Sequence, residues 1–380
     1  MNLQPYLKLM SEQHASDLYF TTGAPVSVRI EGKMRPVGKS MLSPGMTRKL
    51  AYDLLSPAQI KDFERNLEFN MGMSYTDLGR FRVNMYMQRG EVSMVIRYIK
   101  ADIPSVEELA LPDVYKDIMK KKKGLVMVVG ATGTGKSTSL ASMLDYRNEL
   151  DTGHILTIED PIEFMFHHKK CIIGQREVGL DTLSFDNALC EAMREAPDVI
   201  MIGEARDRMT IESALRYADT GHLCLTTLHA TNANQTLDRI LNFFPSDAHN
   251  QILMDLSLNL NAVLAQRLVT SADGTHRVVA CEAMINTPYI SQLIRDGNFH
   301  GIKEIMEKGS DVGMQTFDQS LYILYKEGKI DLKTALANAD SSSDLEWRIN
   351  FGGGVKNLEG KEKESEALQF PSTSADLNKS

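Results

Sequence analysis

At about 150 residues per domain, a chain of 380 residues is predicted to form two or three domains. It carries 42 Lys and Arg against 50 Asp and Glu, and the net charge of −8 disfavours an obligate binder of duplex DNA, whose phosphate contacts require clustered basic residues. The 4 cysteines are scattered and form no CxxC pair, which argues against a disulfide scaffold or zinc ribbon and favours reduced thiols in the cytoplasm.

The sequence gives no sign of membrane insertion. No run reaches the roughly 18 apolar residues of a membrane-spanning helix, and residues 1–17 have polar and acidic residues where a signal peptide would have its apolar stretch. We therefore expect a cytoplasmic protein that reaches a membrane only through partners.

The N-terminal part of the chain has the pattern of a small domain that mixes strands and helices. ASDLYF and VSVRIEGKMRPV indicate strands around a turn at Glu31–Gly32, and Ser43 and Ser56 are typical helix N-caps, each followed by a proline. The alternating apolar residues of FRVNMYM predict a strand that places Arg80 and Arg82 together on its opposite face. The N-terminal sheet is therefore expected to carry a basic stripe.

From residue 124 onward, short apolar runs alternate with helical stretches. GLVMVVG, HILTIED, DVIMIGE and HLCLTTL are continuous enough for strands buried on both faces of a parallel sheet. Helices are predicted over 137–150, 184–196, 207–220, 246–269 and 288–339, with a hairpin near Asp273–Gly274 between the last two. The predicted organisation is an N-terminal domain over 1–100, a linker over 101–123, an α/β nucleotide domain over 124–345 and a polar, disordered tail over 346–380.

The strongest motif, GATGTGKS, lies between a predicted strand and a predicted helix and matches GxxxxGK[ST]. Its glycines let the backbone curl so that successive N–H groups face a phosphate, and the helix N-terminus favours the same anion. We predict that Lys136 reaches the β- and γ-phosphates of ATP and that the Ser137 hydroxyl binds Mg2+. The predicted nucleotide-binding residues are Gly130, Ala131, Thr132, Gly133, Thr134, Gly135, Lys136, Ser137 and Thr138.

Two acidic segments follow, each at the end of a predicted strand, where ligands bind in open α/β sheets. In IEDPIE, an acid such as Glu159 or Glu163 is predicted to hold Mg2+ through water or to orient the attacking water, although a solvated turn explains these acids nearly as well. In VIMIGEARD, Glu204 is the candidate that polarises the attacking water. Gly203 occupies the position where many P-loop proteins place a Mg2+-binding Asp.

A further segment, GHLCLTTLHA, contains two histidines. His222 and His229 are an odd number of residues apart and would point to opposite faces of an ideal strand, so a shared zinc site is not expected. We interpret the polar end of this strand, with His229, as a sensor of the γ-phosphate or a hydrogen-bond anchor, with core packing as the alternative.

The order of these segments, behind an N-terminal part that contains ASDLYF, resembles the secretion-ATPase superfamily, and most of all the type IV pilus retraction ATPases of the PilT/PilU type. In that family the segments are the Walker A motif, Asp box, atypical Walker B motif and His box. The resemblance implies a RecA-like P-loop NTPase core, a PAS-like α+β N-terminal domain, and a homohexameric ATPase ring that binds ATP between the domains. It also implies that Arg82 and Arg97, in FRVN and VIRYI, reach the nucleotide.

The predicted catalytic residues are then Glu204, Glu163, Arg82, Arg97 and His229. The partners implied are a PilT-type ATPase and the platform protein of the pilus base at the inner membrane, with no direct contact to nucleic acid.

Two features depart from the PilT pattern. The AIRNLIR-like segment that is linked with retraction reads YISQLIR, with Tyr289, Ser291 and Gln292 in place of Ala, Arg and Asn, and the polar tail extends beyond the usual PilT length. Both features point to the PilU type and predict an accessory role that depends on a PilT-type ATPase.

Three other classes of protein are alternatives. Pilus-extension and type II secretion ATPases belong to the same superfamily, but they commonly carry a tetracysteine metal site that the scattered cysteines cannot form. A RecA-like nucleic-acid motor would need a broad basic surface, which a net charge of −8 does not suggest. A P-loop kinase would need a lid or an acceptor signature, and the sequence shows neither.

Overall fold

The computed structural model describes residues 2–30, 32–309 and 312–351. The first elements are α1 (Gln4–Glu12), β1 (Asp17–Phe20), β2 (Pro25–Ile30), β3 (Lys33–Met41), α2 (Met46–Tyr52), α3 (Pro57–Asn66), β4 (Glu68–Tyr75), β5 (Gly79–Gln88) and β6 (Glu91–Ile99). The six strands form an antiparallel sheet in the order β3-β2-β1-β6-β5-β4. Leu7 of α1, Leu50 of α2 and Phe63 of α3 join the apolar core of this sheet.

The rest of the chain alternates strands and helices. Its elements are α4 (Val114–Met119), β7 (Gly124–Val129), α5 (Lys136–Leu150), β8 (Gly153–Glu159), β9 (Cys171–Glu177), α6 (Phe185–Ala192), β10 (Val199–Ile202), α7 (Arg208–Asp219), β11 (Leu223–Leu228), α8 (Ala233–Leu241), α9 (His249–Asn259), β12 (Leu260–Thr270), β13 (Arg277–Ile285), α10 (Pro288–Arg295), α11 (Ile302–Lys308), α12 (Phe317–Lys326), α13 (Leu332–Asn338) and α14 (Ser342–Phe351).

The second sheet has the order β13-β12-β7-β11-β10-β8-β9 and is parallel except for the β12–β13 hairpin. Every residue of β7, β10 and β11 is buried, because an apolar cluster covers each face of the sheet. This confirms the expected α/β core with a smaller α+β part. The parallel order also brings the carboxyl ends of β7, β8, β10 and β11 to one edge, where Lys136, Glu159, Glu204 and His229 lie.

Several local predictions are confirmed. Ser56 accepts a hydrogen bond from the backbone N–H of Gln59 and caps α3, and Ser184 caps α6 in the same way. In β5 the alternating residues Phe81 and Val83 are fully buried. Strands β2 and β3 pair directly before and after the predicted turn, whose Glu31 lies outside the described residues, and β12 and β13 form the hairpin near Asp273–Gly274.

Two local predictions are wrong, and one strand has no counterpart among the predicted elements. Ser43 does not cap a helix, because α2 begins at Met46 behind Gly45, whose φ is 80°. The helix predicted over 246–269 ends at Asn259, and Leu260 begins β12. That segment becomes a strand because it pairs with both β7 and β13, and these tertiary contacts outweigh the local helix preference of its Leu and Ala residues. The edge strand β9 was not predicted at all.

The predicted boundary of the polar tail also needs correction. It was placed after residue 345, but α14 runs from Ser342 to Phe351, and Leu345 is buried in the core. The rest of the predicted tail, residues 352–380, lies outside the described residues. Among the residues that are described, no helix is long and apolar enough to cross a membrane.

Candidate nucleotide site

The loop between β7 and α5 is shaped by close backbone packing. A Cβ atom at Gly130 would lie 2.5 Å from Thr134 Oγ1 and 2.7 Å from the Gln266 carbonyl oxygen of the neighbouring strand. Gly133 and Gly135 have φ values of 78° and 88°, a conformation that other residues rarely adopt. The motif therefore needs its glycines for both space and backbone geometry.

Lys136 begins α5 and is buried at the end of this loop. Its ammonium group donates hydrogen bonds to the carbonyl oxygens of Gly130 (2.9 Å) and Ala131 (3.0 Å). Burial lowers the pKa of Lys136, and the nearby carboxylates of Glu204 and Glu163 oppose that shift. The lysine charge is thus directed into the loop and lies in the field of two predicted site residues.

A cavity of about 240 Å³, which we name the phosphate cavity after the predicted role of its loop, joins the four motifs. Strands that are distant in sequence but adjacent in the sheet contribute its walls, as expected at the carboxyl edge of an α/β sheet. The predicted site residues that line it are Thr132, Gly133, Lys136, Ser137, Glu159, Glu163, Glu204 and His229. The structure therefore brings together most of the residues predicted from sequence.

Glu204 is held at both of its carboxylate oxygens. Oε1 lies 3.2 Å from His229 Nε2, and Oε2 accepts a hydrogen bond from Arg206 Nε (3.0 Å). Arg206 Nη1 also donates to Asp160 Oδ2 (3.1 Å), so this arginine links the Walker B segment to the Asp box. We did not predict a role for Arg206. The order of charges in GEARD was the only signal, and it does not show which acids the arginine contacts.

The two histidines of the His box lie at opposite ends of β11, one just before the strand and one just after it. His222 contacts the carbonyl oxygen of Tyr217 and the hydroxyl of Thr220, whereas His229 reaches Glu204. Within the part of the chain that the structure describes, no group of three or more His, Cys, Asp or Glu residues could hold a metal ion by itself.

The two predicted acids of the Asp box have different surroundings. Glu159 is buried, accepts a hydrogen bond from Thr157 Oγ1 (2.7 Å), and has its pKa raised to about 7 by burial. Glu163 is exposed. Gly203 packs against the same segment, because a Cβ atom there would lie 3.3 Å from the Cα of Glu159. An Asp at position 203 would therefore press on the end of β8, which explains why this position suits glycine.

The N-terminal arginines lie outside the phosphate cavity. Arg82 Nε is 3.6 Å from Glu177 Oε1, and Arg97 Nε donates to Asp17 Oδ1 (2.9 Å). Arg97 lines a second cavity of about 650 Å³ between the two sheets, together with Thr138. The basic stripe predicted on β5 exists, but in this arrangement it faces a carboxylate of the second sheet. This structure does not bring Arg82, Arg97 or Thr138 into the phosphate cavity.

Comparisons with known proteins agree with this architecture. The family described as Type II/IV secretion system protein matches residues 2–321. The chain is 51% identical to the type IV pilus ATPase PilU of Pseudomonas aeruginosa over 352 residues, which cover 93% of this chain and 92% of the relative. It is 41% identical to the type IV pilus retraction ATPase PilT of the same organism over 339 residues, 89% of this chain and 98% of the relative.

A solved structure is also similar to this chain. The crystal structure of the pilus retraction motor PilT with bound ADP superposes with a TM-score of 0.84 at 41% identity, and the match covers 91% of this chain and 99% of that chain. Together with the four motifs around one cavity, these matches show that the chain belongs to the Type II/IV secretion system protein family, as an ATPase of the PilT/PilU type.

Proposed function

We propose that this protein is an ATP-hydrolysing motor that powers or assists type IV pilus retraction. The observation that carries the proposal is the meeting of Lys136, Ser137, Glu204 and His229 in one cavity of a chain that is similar to PilU and PilT over nearly its whole length. A loop that binds phosphates is common to many proteins, whereas four such motifs around one cavity of a single sheet are far more specific.

The chemistry follows from position and charge. Lys136 would neutralise the β- and γ-phosphates, since its ammonium group already lies among the loop carbonyls. Glu204 would accept a proton from the attacking water or orient it, and His229 and Arg206 would hold that carboxylate in place. Transfer of the phosphoryl group to water then depends mainly on positioning and electrostatic stabilisation.

The residues present are compatible with Mg2+. This ion prefers oxygen ligands and usually combines one or two protein groups with phosphate oxygens and water, so the site needs no cluster of three acids. The Ser137 hydroxyl would bind it, and Glu159 or Glu163 would act through water from the same cavity. Bound Mg2+ would neutralise charge that develops on the phosphates.

Closure of the N-terminal part would complete the site. We propose two domains over 1–100 and 124–351, joined by residues 101–123, and a homohexameric ring in which Arg82 and Arg97 approach ATP. Both side chains are on the sheet that faces the second cavity, which supports movement toward the nucleotide. The ring would act in the cytoplasm at the inner-membrane pilus base, through its platform protein.

The surface of α10 supports an accessory role beside a PilT-type ATPase. Ile290, Leu293 and Ile294 pack into the core, whereas Tyr289 is 59% exposed. The departure from the PilT pattern at position 289 therefore changes the surface and leaves the core side of the helix apolar. The greater identity of the chain to PilU than to PilT also favours an accessory role.

Purified variants test the chemistry. Lys136→Ala should lose ATP hydrolysis by at least about a hundredfold, because one preorganised charged contact to the reacting group is commonly worth that much. Glu204→Gln should bind ATP with Mg2+ and turn it over poorly. ATPase activity near that of the wild type in Lys136→Ala would contradict the proposal, as would a Glu204→Gln chain that fails to bind ATP.

Motility tests the biological role. Deleting the gene in cells with and without a functional PilT-type ATPase, and scoring twitching, separates assisted from independent retraction. We expect that overproducing this protein will not restore twitching to a strain that lacks the PilT-type ATPase. Full twitching in that strain would show independent retraction.

A further inference from the structure

A buried carboxylate that the proposed mechanism does not use joins the two sheets. Glu177 is the last residue of β9, its side chain is 1% exposed, and its Oε1 lies 3.6 Å from Arg82 Nε on β5. Its Oε2 accepts a hydrogen bond from the backbone N–H of Ile162 (3.4 Å), next to Glu163 in the Asp box. One carboxylate therefore contacts the N-terminal sheet and the Asp box at once.

The contact between Glu177 and Arg82 is loose. A separation of 3.6 Å allows an ion pair but exceeds the roughly 2.7–2.9 Å of a charge-assisted hydrogen bond. Within the described residues, Glu177 Oε1 has no hydrogen-bond partner, and neither does the buried Nε of Arg80 on the same face of β5. Burial raises the pKa of Glu177, Arg82 and Arg80 oppose that shift, and Asp181 adds to it. A buried carboxylate with so few contacts is costly, so it attracts the nearest arginine.

This pair differs from the other arginine contact of the N-terminal sheet. Arg97 and its partner Asp17 lie on neighbouring strands of one sheet and would move together. Among the ion pairs formed by residues 2–30, 32–309 and 312–351, the pair of Arg82 and Glu177 is the one that connects the two sheets. Any change in the angle between the sheets acts on it directly.

We propose that Glu177 is a positioning residue that holds Arg82 in this arrangement and releases it when the N-terminal sheet closes over bound nucleotide. The inference rests on the proposed function, in which Arg82 reaches the phosphates. Arg82 lies outside the phosphate cavity while it pairs with Glu177, so it must leave this carboxylate to reach a phosphate. Separating the pair adds to the cost of closure and lowers the apparent affinity for ATP.

The test is Glu177→Gln in the full-length chain. The glutamine keeps the shape of the side chain and an oxygen that can accept the Ile162 N–H, but it removes the charge that holds Arg82. We expect the Kd for a non-hydrolysable ATP analogue with Mg2+ to fall about fivefold, the effect of one weak ion pair. The KM for ATP should fall with it, and kcat should change less than KM.

Two further variants separate this role from general stability. In an Arg82→Gln background, Glu177→Gln should no longer change the Kd, because no cation remains to be held. Glu195→Gln removes the ion pair with Arg176, also on β9 (2.6 Å), without touching the N-terminal sheet, and should leave the Kd as in the wild type.

An unchanged or weaker affinity in Glu177→Gln would overturn the inference, and so would an equal gain in the Arg82→Gln background. These outcomes are distinct from failure of the proposed function. If Lys136→Ala still hydrolyses ATP, the proposed function fails; if that variant is inactive but Glu177→Gln binds the analogue no more tightly, only the positioning role fails.

Discussion

Glu204 shares its two carboxylate oxygens between His229 and Arg206. Such contacts fix the carboxylate in one orientation, which matters because a general base must lie within hydrogen-bond reach of the water that it activates. Arg206 contacts Asp160 as well as Glu204 and thereby keeps the Asp box beside the Walker B strand. At the scale of single residues, the site depends on this bridging arginine.

Replacing Arg206 with Gln should lower kcat about tenfold, because the variant loses the charged hydrogen bond that orients Glu204, and one such bond is worth about 1.5 kcal/mol. KM for ATP should change less than kcat, since Lys136 and the loop glycines remain to bind the phosphates. Steady-state ATPase assays of Arg206→Gln and Arg206→Lys measure both values. Lysine keeps the charge but cannot make both contacts, so it should recover only part of kcat. A wild-type kcat in Arg206→Gln would contradict this role.

The loop between β7 and α5 shows how neighbouring elements constrain a motif. Gly130 faces the backbone of β12, a strand that lies more than a hundred residues further along the chain. The glycine is therefore required by tertiary packing as well as by the phosphate. Gly203 has a similar role between β10 and the end of β8. In both places the site is shaped by strands that approach each other closely.

Gly130→Ala should bind ATP at least about tenfold more weakly, because the new methyl group would force the loop or β12 to shift, and such overpacking commonly costs about 1–3 kcal/mol. Isothermal titration with ATP and Mg2+ measures the change. Gly274→Ala is a matched control: Gly274 also has a positive φ of 69°, but a Cβ atom there meets open space, and Gly274 does not line the phosphate cavity. If both variants lost the same ATP affinity, backbone strain alone would explain the weaker binding of Gly130→Ala, and the contact with β12 would have no role in it.

At the scale of the whole molecule, the second sheet continues into a helical C-terminal part that packs against β12 and β13. Glu282 of β13 is buried there and accepts a hydrogen bond from the backbone N–H of Ala233 (2.8 Å) at the start of α8. Burial raises its pKa to about 7, Asp340 adds to the shift, and Arg267 and Lys303 oppose it. This buried carboxyl group therefore makes the stability of the fold depend on pH.

The direction of the pKa shift of Glu282 decides whether the fold gains or loses stability as pH rises. In the unfolded chain Glu282 ionises near its ordinary pKa of 4.5, whereas in the folded chain it ionises near 7, so folding loses stability as pH rises between these values. At pH 8 the free energy of unfolding of Glu282→Gln should exceed that of the wild type by on the order of 3 kcal/mol, so the variant should unfold at a higher urea concentration. This difference in free energy should shrink at pH 4.5.

Unfolding curves at the two pH values test this prediction, with Glu12→Gln on the exposed face of α1 as the control, because its carboxylate is solvated in both states. A difference between Glu282→Gln and the wild type that does not depend on pH would contradict the assigned cause.

Part of this architecture follows from local rules, which is why the sequence alone predicts it. The loop glycines, the N-cap Ser184 and the alternation in β5 depend on neighbours within a few residues, and the continuous apolar runs identify strands buried on both faces. Because parallel strands end at one edge, the order of the four motifs also predicts that they meet. The resemblance to a known family rests on the same motifs.

Tertiary structure decided the rest, because the remaining features depend on contacts between distant segments. β12 is a strand because it pairs with β7 and β13, Arg206 contacts Asp160 at a distance of 46 residues along the chain, and Arg82 faces Glu177 across the two sheets. Local composition carries no information about which strands lie side by side or which charge meets which. The motifs alone therefore predict the nucleotide chemistry, whereas the packing of the two sheets sets which side chains lie beside the site, because those contacts join residues that are distant in sequence.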